Sequence, residues 1–464
     1  MRLFNTLLFV LFALSANAAD GTVGTVSVQK GNNVSVNGEA PLSLTLDGKD
    51  PQSCQFLSKR APDENHDFTW KEVTTTRGGE LAEILGDQLR SVDSLVVKGY
   101  VNDKDFHAMW DASLYGYLSV INLKNAVLEN NAVPDTAFFH ENEQYEGSSH
   151  EIFYYIGLRK IILPEGLEKI GEGAFYQASA LRQVNFPSTL RYIGDFAFNA
   201  TKLEMNQLVI PEGVEEINQY AFAFCRKLKA QVILPSTIKK IGEWAFYGCP
   251  ITSINLPEGL ESLGSLAFWD CDLREVSIPS SCHEFNEGWQ FGFNRNLEKM
   301  HLPEGMTEIP DHFAVDCFRL REVNFPHTLK HIGEKAFSLC ISLKNVELPL
   351  GMQSLGEEAF SELEALEQIV FPASMKSLGK NSCSYWKNIK RIYCAAMEPP
   401  VCDPTDGGVF SGFDFPDGFD TPVVYIPKGT INKYKDTSRN CMGWEKFWNY
   451  VEIDPSEFPT TAID

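Results

Sequence analysis

Residues 228–249 read LKAQVILPSTIKKIGEWAFYGC, and this pattern recurs through the middle of the chain. Each copy has a short apolar run that ends at a proline, and successive prolines are 22 to 24 residues apart. One such unit cannot bury both of its faces, but stacked copies can. The sequence therefore predicts a solenoid whose coils are marked by Pro164, Pro187, Pro211, Pro235, Pro257, Pro279, Pro303, Pro326, Pro349 and Pro372.

The unit around Pro187 shows what each part predicts. Val184 and Phe186 lie two residues apart and point to one face of a strand, which Pro187 ends because it cannot donate to a ladder. Gly194 permits a tight bend, and Phe198 is predicted on a short helical turn. The predicted fold class is an α/β solenoid with a parallel β-sheet and repeats of about 23 residues. A core ladder is expected from Phe175, Phe198, Phe222, Phe246, Phe268, Phe337 and Phe360.

Five cysteines lie 14 residues after their proline, where other coils have alanine or leucine. A position that accepts Cys, Ala or Leu is typical of a buried packing site, in which a thiol acts as a small hydrophobe. Buried thiols are expected, with disulfides between neighbouring coils as the alternative, at Cys225, Cys249, Cys271, Cys317 and Cys340. Two further cysteines, Cys394 and Cys402, flank a Pro-Pro pair and are candidates for a disulfide that closes a short loop.

The signature L-x-x-I-x-L-P-x-x-L-x-x-I-G-x-x-A-F-x-x-C is nearly intact in residues 228–249. It resembles the bacterial leucine-rich repeats of the BspA-like surface protein family, also called the Treponema pallidum-type repeat. The resemblance covers residues 151–385 strongly. It implies a leucine-rich repeat protein that adheres to host or neighbouring-cell proteins without catalysis. Because a fold does not determine function, adhesion is an expectation that the fold alone does not establish.

The two ends of the chain depart from the repeat. Residues 1–18 combine a charged residue, an apolar stretch and a small-residue cleavage site, which predicts a secretory signal peptide and a secreted or cell-surface protein. Helical stretches are predicted near residues 81–89 and 103–110, and an exposed loop at 140–151. The predicted organisation is a signal peptide (1–18), a small β element or flexible leader (19–75), atypical N-terminal capping repeats (76–150), the repeat array (151–385), and a C-terminal capping unit and tail (386–464).

The net charge and the lack of known catalytic motifs limit the classes of function that the sequence supports. The chain has 40 Lys and Arg against 62 Asp and Glu, a net charge of −22, so a nucleic-acid partner is not expected. The sequence has no nucleophile elbow, metalloprotease helix or phosphate-binding loop, and we expect no catalytic residue, cofactor or metal site. Two alternatives stay open. A solvated acidic loop is expected at 403–420, with calcium binding as the alternative, and repeat drift is expected in the irregular coils after Pro279 and Pro303, with a functional irregularity as the alternative.

Exposed positions of the predicted sheet lie two and four residues before each proline. They are mixed and mostly neutral, without an aromatic platform or a charge stripe, which suits a broad polar surface for a protein partner. The protein is expected to be a monomer. A carbohydrate-associated function is the alternative, with glycan binding through Phe410, Phe413, Phe415 and Phe419. The predicted binding residues are Lys160, Gln183, Asn185, Gln207, Gln231, Asn255, Glu275, Lys299, His301, Glu322, Asn324, Asn345, Glu347 and Gln368.

Overall fold

The computed structural model describes the backbone of residues 24–29, 33–38 and 44–45, and the full residues 67–139, 156–402, 408–412, 422–436 and 443–459. The predicted signal peptide and the predicted loop at 140–151 lie outside these residues. The chain divides into two compact units. Unit 1 comprises Met1–Leu190 and Phe196–Glu204, and unit 2 comprises Arg191–Asp195 and Met205–Asp464. No helix in the described part of the chain combines the length and the apolar character needed to cross a membrane.

Unit 1 contains parallel strands and a small leading sheet. In the leading sheet, β1 (Gly24–Gln29) is antiparallel to β2 (Asn33–Gly38) and parallel to β3 (Leu44–Thr45). The main sheet is parallel throughout and has the order β10-β8-β6-β5-β4. Its strands are β4 (Trp70–Thr75), β5 (Ser94–Val101), β6 (Val120–Leu128), β8 (Lys160–Ile162) and β10 (Gln183–Val184). A second parallel pair consists of β7 (Ala132–Val133) and β9 (Lys169–Ile170).

The α-helices described in unit 1 lie where the sequence predicts them, and a 3-10 turn (Glu129–Asn131) follows β6. Helix α1 (Leu81–Leu85) continues into a 3-10 turn (Gly86–Arg90), and α2 (Asp103–Tyr115) follows β5. A capping box begins α2: the Asn102 side chain accepts from a backbone N–H of the first turn, while the Asp105 carboxylate accepts from Asn102 N at 3.0 Å. Asp105 is buried and also accepts from Leu81 N at 2.9 Å, so it joins the starts of the two helices.

Each coil of unit 2 contributes two strands. They pair in parallel with those of neighbouring coils, except that hydrogen bonding in the first set is interrupted after residues 255 and 324 and in the second set after residue 285. First-sheet strands precede each proline: β12 (Gln207–Val209), β14 (Gln231–Ile233), β16 (Ser253–Asn255), β18 (Glu275–Ser277), β20 (Lys299–His301), β22 (Glu322–Asn324), β24 (Asn345–Glu347), β26 (Gln368–Phe371), β28 (Arg391–Cys394), β30 (Val423–Pro427) and β31 (Tyr450–Ile453). Second-sheet strands follow each proline: β11 (Tyr192–Ile193), β13 (Glu216–Ile217), β15 (Lys240–Ile241), β17 (Ser262–Leu263), β19 (Glu284–Phe285), β21 (Glu308–Ile309), β23 (His331–Ile332), β25 (Ser354–Leu355), β27 (Ser377–Leu378) and β29 (Val401–Cys402).

Turns, rather than helices, connect the strands of the array. From residue 205 to 402 the structure contains no helix, so the predicted short helical turns are hydrogen-bonded turns instead. In the Pro211 coil, Tyr220 and Phe224 have φ values of 55° and 59°. Equivalent left-handed residues recur in the other coils, and each reverses the chain so that it can return to the sheet. Among the described residues of unit 2, helix is confined to α3 (Ile431–Tyr434) and two 3-10 turns, Trp444–Lys446 and Pro455–Glu457.

The dipeptides after the prolines alternate between Glu-Gly and a hydroxyl-rich pair, and the structure shows why. Glu212 accepts hydrogen bonds from Ser236 N and Ser236 Oγ in the next coil, at 3.1 and 3.0 Å. Thr237 Oγ1 accepts from Gly213 N and donates to Val214 O, each at 2.9 Å. The same clasp joins three other pairs of coils, which start at Glu165, Glu258 and Glu304. The alternation therefore pairs consecutive coils.

The predicted phenylalanine ladder fills the core. In unit 2 the ring centroids of Phe222 and Phe246 are 5.3 Å apart with an interplanar angle of 2°, and Phe268 continues the stack at 5.6 Å. All three side chains have zero exposure. Unit 1 has its own stack of Phe138, Phe175 and Phe198, with centroids 5.4 and 5.1 Å apart. The ladder prediction is confirmed.

The irregular coils after Pro279 and Pro303 still contribute a phenylalanine to the ladder, at a position shifted by one residue along the chain. Counted from Pro279, the Ala-Phe position of this coil falls on Trp289-Gln290, but Phe291 occupies the ladder there, 5.6 Å from Phe268. In the next coil Phe313 meets Phe291 edge-on, at 5.4 Å and 76°. A one-residue insertion in the loop thus moves Trp289 out of the core and preserves the stack.

Aromatic residues close the C-terminal end of unit 2. Tyr434, Trp444 and Phe447 are buried, and Trp444 packs edge-on against Phe371 at 6.2 Å. Phe458 is buried against Val370, on the outer face of the first sheet. These side chains fill the end of the core and cover part of one sheet face, while β30 and β31 extend the sheet itself.

Candidate functional site

The fourteen predicted binding residues lie on, or directly after, strands of the main sheet of unit 1 or of the first sheet of unit 2. In unit 2 the register aligns them in rows: for example Gln207 is level with Gln231, and Lys299 with Glu322. The residues between them, such as Val232 and Met300, are buried, so the predicted residues occupy the outer face. Eleven of the fourteen are exposed, and three are half-buried: Lys160, His301 and Gln368.

Several of these side chains pair with one another across strands. Lys299 Nζ lies 3.0 Å from a Glu322 carboxylate oxygen, and His301 Nε2 lies 3.2 Å from Glu275 Oε1. Gln207 Nε2 donates to Gln231 Oε1 at 3.2 Å, which continues the polar row. Pairs of this kind are worth only ~0.2–1 kcal/mol when exposed. They are therefore easily exchanged for contacts with a partner.

Three of the predicted asparagines are hydrogen-bonded to backbone. Asn185 accepts from Leu163 N at 2.7 Å and donates to Leu163 O at 3.0 Å. Asn324 makes the same pair of bonds to the preceding coil, at 2.9 and 3.0 Å, and Asn255 accepts one at 3.2 Å. These amides extend the strand ladder beyond the last backbone bond. Their geometry is that of framework residues, which join one coil to the next.

The cysteine position is both buried and hydrogen-bonded. All five predicted cysteines are buried, which confirms that part of the prediction, and Cys249 Sγ donates to Phe222 O of the preceding coil at 2.9 Å. From the equivalent position in two other coils, Asn294 Nδ2 and Trp386 Nε1 each donate to a ladder phenylalanine carbonyl at 2.7 Å. This buried position thus accommodates hydrogen-bond donors of different shapes: a thiol, an amide and an indole. Burial raises the pKa of Cys317 to about 12, so this thiol stays protonated at neutral pH.

The predicted Cys394–Cys402 disulfide is not formed in the structure, where Cys394 is a buried thiol. Cys394 ends β28 of the first sheet, whereas Cys402 ends β29 of the second. Tyr434 Oη lies 3.2 Å from Cys394 Sγ and donates to Ala396 O at 2.7 Å. The short spacing in sequence is misleading because the intervening prolines carry the chain from one sheet to the other.

Of the residues considered for glycan binding, the structure describes only Phe410, and that ring is not available to a ligand. Phe410 is buried, with ring centroids 5.0 Å from Trp444 and 4.9 Å from Phe447. Phe413, Phe415 and Phe419 lie outside the described residues, as do all of the acidic residues considered for calcium. Among the residues that the structure describes, no group of three or more His, Cys, Asp or Glu side chains is placed to hold a metal ion.

One polar pair on the second sheet has a superficial likeness to a catalytic pair. His331 Nδ1 lies 2.6 Å from Ser354 Oγ, in an open trough of about 640 Å³. Acyl transfer also needs backbone N–H groups directed at the developing oxyanion. The nearby Gly356 N instead donates to Ile332 O at 2.8 Å, within the link between coils. The pair is a surface hydrogen bond between neighbouring strands.

A row of aromatic side chains lies on the turns of unit 2, and the sequence analysis missed it. We call it the turn ridge and define it as Tyr220, Trp244, Trp269, Trp289 and His312, all of them partly buried. The Tyr220 and Trp244 rings are stacked at 5.3 Å, and the Trp289 and His312 rings at 3.6 Å. Aligning the residue nine positions after each proline would have revealed part of the row, because aromatics recur there.

A parallel solenoid with two short strands per coil, a phenylalanine ladder and an open polar sheet face defines a leucine-rich-repeat type of protein. The chain belongs to the BspA type leucine rich repeat region family. The family model matches in six copies over residues 148–232, 229–340 and 312–397, more than half of the chain. Membership confirms the family and fold class expected from the sequence. It indicates a role in protein–protein interaction or at a cell surface, and proteins of this repeat family are generally non-enzymatic scaffolds.

Several solved structures are similar to the chain. A leucine-rich repeat protein from Bacteroides ovatus is 22% identical, with 54% of this chain and 84% of that chain covered and a TM-score of 0.36. The T. pallidum leucine rich repeat protein is 29% identical over 34% of this chain and 77% of its own, with a TM-score of 0.32. The pneumococcal vaccine antigen PcpA is 17% identical over 93% and 99%, with a TM-score of 0.35. No curated protein matches the chain.

Proposed function

We propose that the protein is a secreted or cell-surface adhesion protein that binds other proteins through the outer face of its first sheet, without catalysis. Family membership supports binding or a surface role, and the N-terminal sequence supports export. The particular proposal is adhesion, to matrix proteins of a host or to proteins of neighbouring cells.

The observation that carries this proposal is the polar face itself. In unit 2 it runs over eight successive strands, from Gln207 to Gln368, which at ~4.8 Å per strand is a length of about 34 Å. A specific protein interface needs ~800 Å² on each partner. A face of that length, two side chains (~14 Å) wide, covers roughly 460 Å² and so forms the central part of such an interface.

Chemistry on the face also fits a protein ligand. Gln, Asn, Ser and paired charges are adaptable hydrogen-bonding groups, and a polar rim of this kind is typical of reversible interfaces. At one end of the row Val209 is 50% exposed, which adds an apolar contact. At the other end Phe458 covers Val370, so the available face ends near Gln368.

Surface plasmon resonance with the full chain tests the proposal against extracellular-matrix proteins, and a cell-adherence assay tests it against bacterial surfaces. A face variant carries Gln231→Arg, Asn345→Arg and Glu347→Arg, at exposed residues that are not part of the asparagine framework. A control variant carries Lys239→Glu and Glu261→Arg, at residues that are equally exposed but lie after the prolines.

The face variant should bind at least about tenfold more weakly, with an unchanged circular dichroism spectrum and melting temperature. The control variant should bind like the parent chain. Absence of saturable binding to every matrix protein and cell surface, or equal binding by the face variant, would overturn the proposal. A glycan array serves as the opposing test, because binding there alone would favour the carbohydrate alternative.

A further inference from the structure

The boundary between the Pro279 and Pro303 coils, which we call the joint, lacks hydrogen bonds that other boundaries have. In regular coils the glycine after the second-sheet isoleucine donates its N–H to the preceding coil, as Gly242 N does to Ile217 O at 2.7 Å. Pro310 takes the place of that glycine in the Pro303 coil and has no N–H to donate. Within the described part of the repeat array, the joint is the one boundary at which the second sheet is interrupted, between β19 and β21.

The joint also lies between two clasped pairs of coils, which start at Glu258 and Glu304. The first sheet continues across it, because β18, β20 and β22 are paired in register. On the other side the two coils meet through their turns, where Trp289 N donates to Asp311 O at 3.0 Å. The joint is therefore held by a continuous sheet on one side and by turns on the other.

A ring stack spans the joint on the side of the turns. The Trp289 and His312 ring centroids are 3.6 Å apart, with an interplanar angle of 10°. The His312 side chain is only 14% exposed, and its Nδ1 is buried without a hydrogen-bond partner among the described residues. The Trp289 turn carries one charged residue, Glu287, which is exposed. The charge of His312 therefore determines how well the two turns pack.

The charged groups around His312 do little to stabilise a protonated ring. Glu334 Oε1 lies 3.7 Å from His312 Nε2, which is too far for a hydrogen bond. Lys335 Nζ lies 3.1 Å from the same Glu334 oxygen and 3.7 Å from a Glu358 carboxylate oxygen, so it engages both acids. Burial is the largest influence and lowers the pKa of His312. Lys335 acts in the same direction, whereas Glu334, Asp311 and Glu358 act in the opposite one.

Acid therefore weakens the packing of the joint. An imidazolium carries an N–H on the buried Nδ1 of His312, and a buried donor without an acceptor is unfavourable. The Trp289 ring attracts a cation, but opening the joint hydrates the imidazolium instead. Because the pKa of His312 is lowered in the folded chain, its support is complete above the usual pKa of 6.5. That support is lost as the pH falls through the folded value.

We propose that the joint is an acid-sensitive hinge: protonation of His312 loosens its stack with Trp289 and opens the side of the turns, while the first sheet stays paired. The inference does not depend on the proposed adhesion. It assigns a conformational role to the irregular coils after Pro279 and Pro303.

Hydrogen exchange of the full chain, measured by mass spectrometry at about pH 7.5 and about pH 5, tests the inference after correction for the intrinsic effect of pH on exchange. The diagnostic amides are those of Trp289, Phe291 and Phe293, which donate across the joint. Amides of β20 serve as the internal reference, because the first sheet should stay paired. The melting temperature over the same pH range gives a second measurement.

Three variants separate His312 from the other histidines. His312→Phe keeps a ring in the stack and removes the titration, and Phe224 shows that phenylalanine is accommodated at a similar φ of 59°. His312→Asn provides a second reading if the first variant does not fold, because asparagine also accepts the left-handed conformation. His331→Phe is the matched control, at an exposed histidine of the next coil.

In the parent chain the diagnostic amides should exchange at least about threefold faster at the lower pH, and the melting temperature should fall. Both His312 variants should lack most of this response, and the His331 variant should behave like the parent chain. An unchanged acid response in the His312 variants, or no response in the parent chain, would overturn the inference. Acid stabilisation that disappears with His312 would also overturn it, since attraction to the Trp289 ring would then be the stronger effect. Equal acceleration in β20 would show general unfolding rather than a hinge.

Discussion

Replacing Phe246 by alanine tests the aromatic ladder at its centre. The Phe246 side chain has zero exposure and stacks on two rings, Phe222 at 5.3 Å and Phe268 at 5.6 Å. Truncating a buried phenylalanine costs ~3–5 kcal/mol, from lost apolar burial and the cavity left behind. Each stacked pair is worth a further ~0.5–1.5 kcal/mol beyond its burial. Because both neighbours lose a partner, we expect a loss at the upper end, about 5 kcal/mol.

Guanidinium denaturation followed by circular dichroism measures the loss, and hydrogen exchange locates it. Repeat proteins are stabilised by contacts between neighbouring units, so exchange should accelerate most in the coils on either side of Phe246. Tyr192→Ala is the matched control, because that aromatic side chain is 42% exposed. A loss below about 1 kcal/mol for Phe246→Ala, or one no larger than that of the control, would refute the ladder as a source of stability.

The other predictions concern polar and thiol groups. Asn324→Ala leaves a backbone N–H and C=O of the preceding coil without their partners, which should lower the free energy of unfolding by about 1–3 kcal/mol, whereas Asn345→Ala should cost little in the same denaturation assay. Burial raises the pKa of Cys317 from 9.0 to about 12, so the folded state favours the neutral thiol. Stability should therefore be complete below pH 9 and should fall as the pH rises toward 12, and Cys317→Ala should reduce that fall; a pH-independent midpoint of unfolding would contradict this. Non-reducing peptide mapping should recover Cys394 and Cys402 as separate thiols, and a linked peptide pair would show the structure to be wrong there.

The repeat, the ladder and the buried cysteines could be predicted from the sequence. In each case one type of residue recurs at a fixed distance from the proline of its coil. Phe246 lies in the core for the same reason as Phe222 and Phe268, and the proline spacing shows this without any knowledge of contacts. In the irregular coil after Pro279, counting residues from the proline predicts the wrong core residue. An alignment by offset puts Gln290 in the ladder, whereas packing places Phe291 there, because a large apolar side chain gains more from burial than the turn loses by bulging.

Predictions about single polar residues were less secure. Asn185, Asn255 and Asn324 occupy the outer sheet face as the alternation requires, yet their amides bond to the backbone of the preceding coil. The sequence indicates that a side chain points outward. It does not indicate whether that side chain is already hydrogen-bonded to a backbone group of the neighbouring coil. The same applies to Cys394, for which the spacing predicted a disulfide while the chain path places the two cysteines on different sheets.

The sequence by itself determined the family, the period, the parallel strands before each proline and the identity of the core rings. These follow from apolar and proline positions that recur along one dimension. Only the tertiary structure decided what happens between coils: the Glu-Gly clasp on the next Ser-Thr pair, the thiol donors to the phenylalanine carbonyls and the stacking of the turn ridge. Each of these joins groups more than 20 residues apart. Their geometry depends on the register in which one coil lies upon the next, and register emerges only when the coils are packed together.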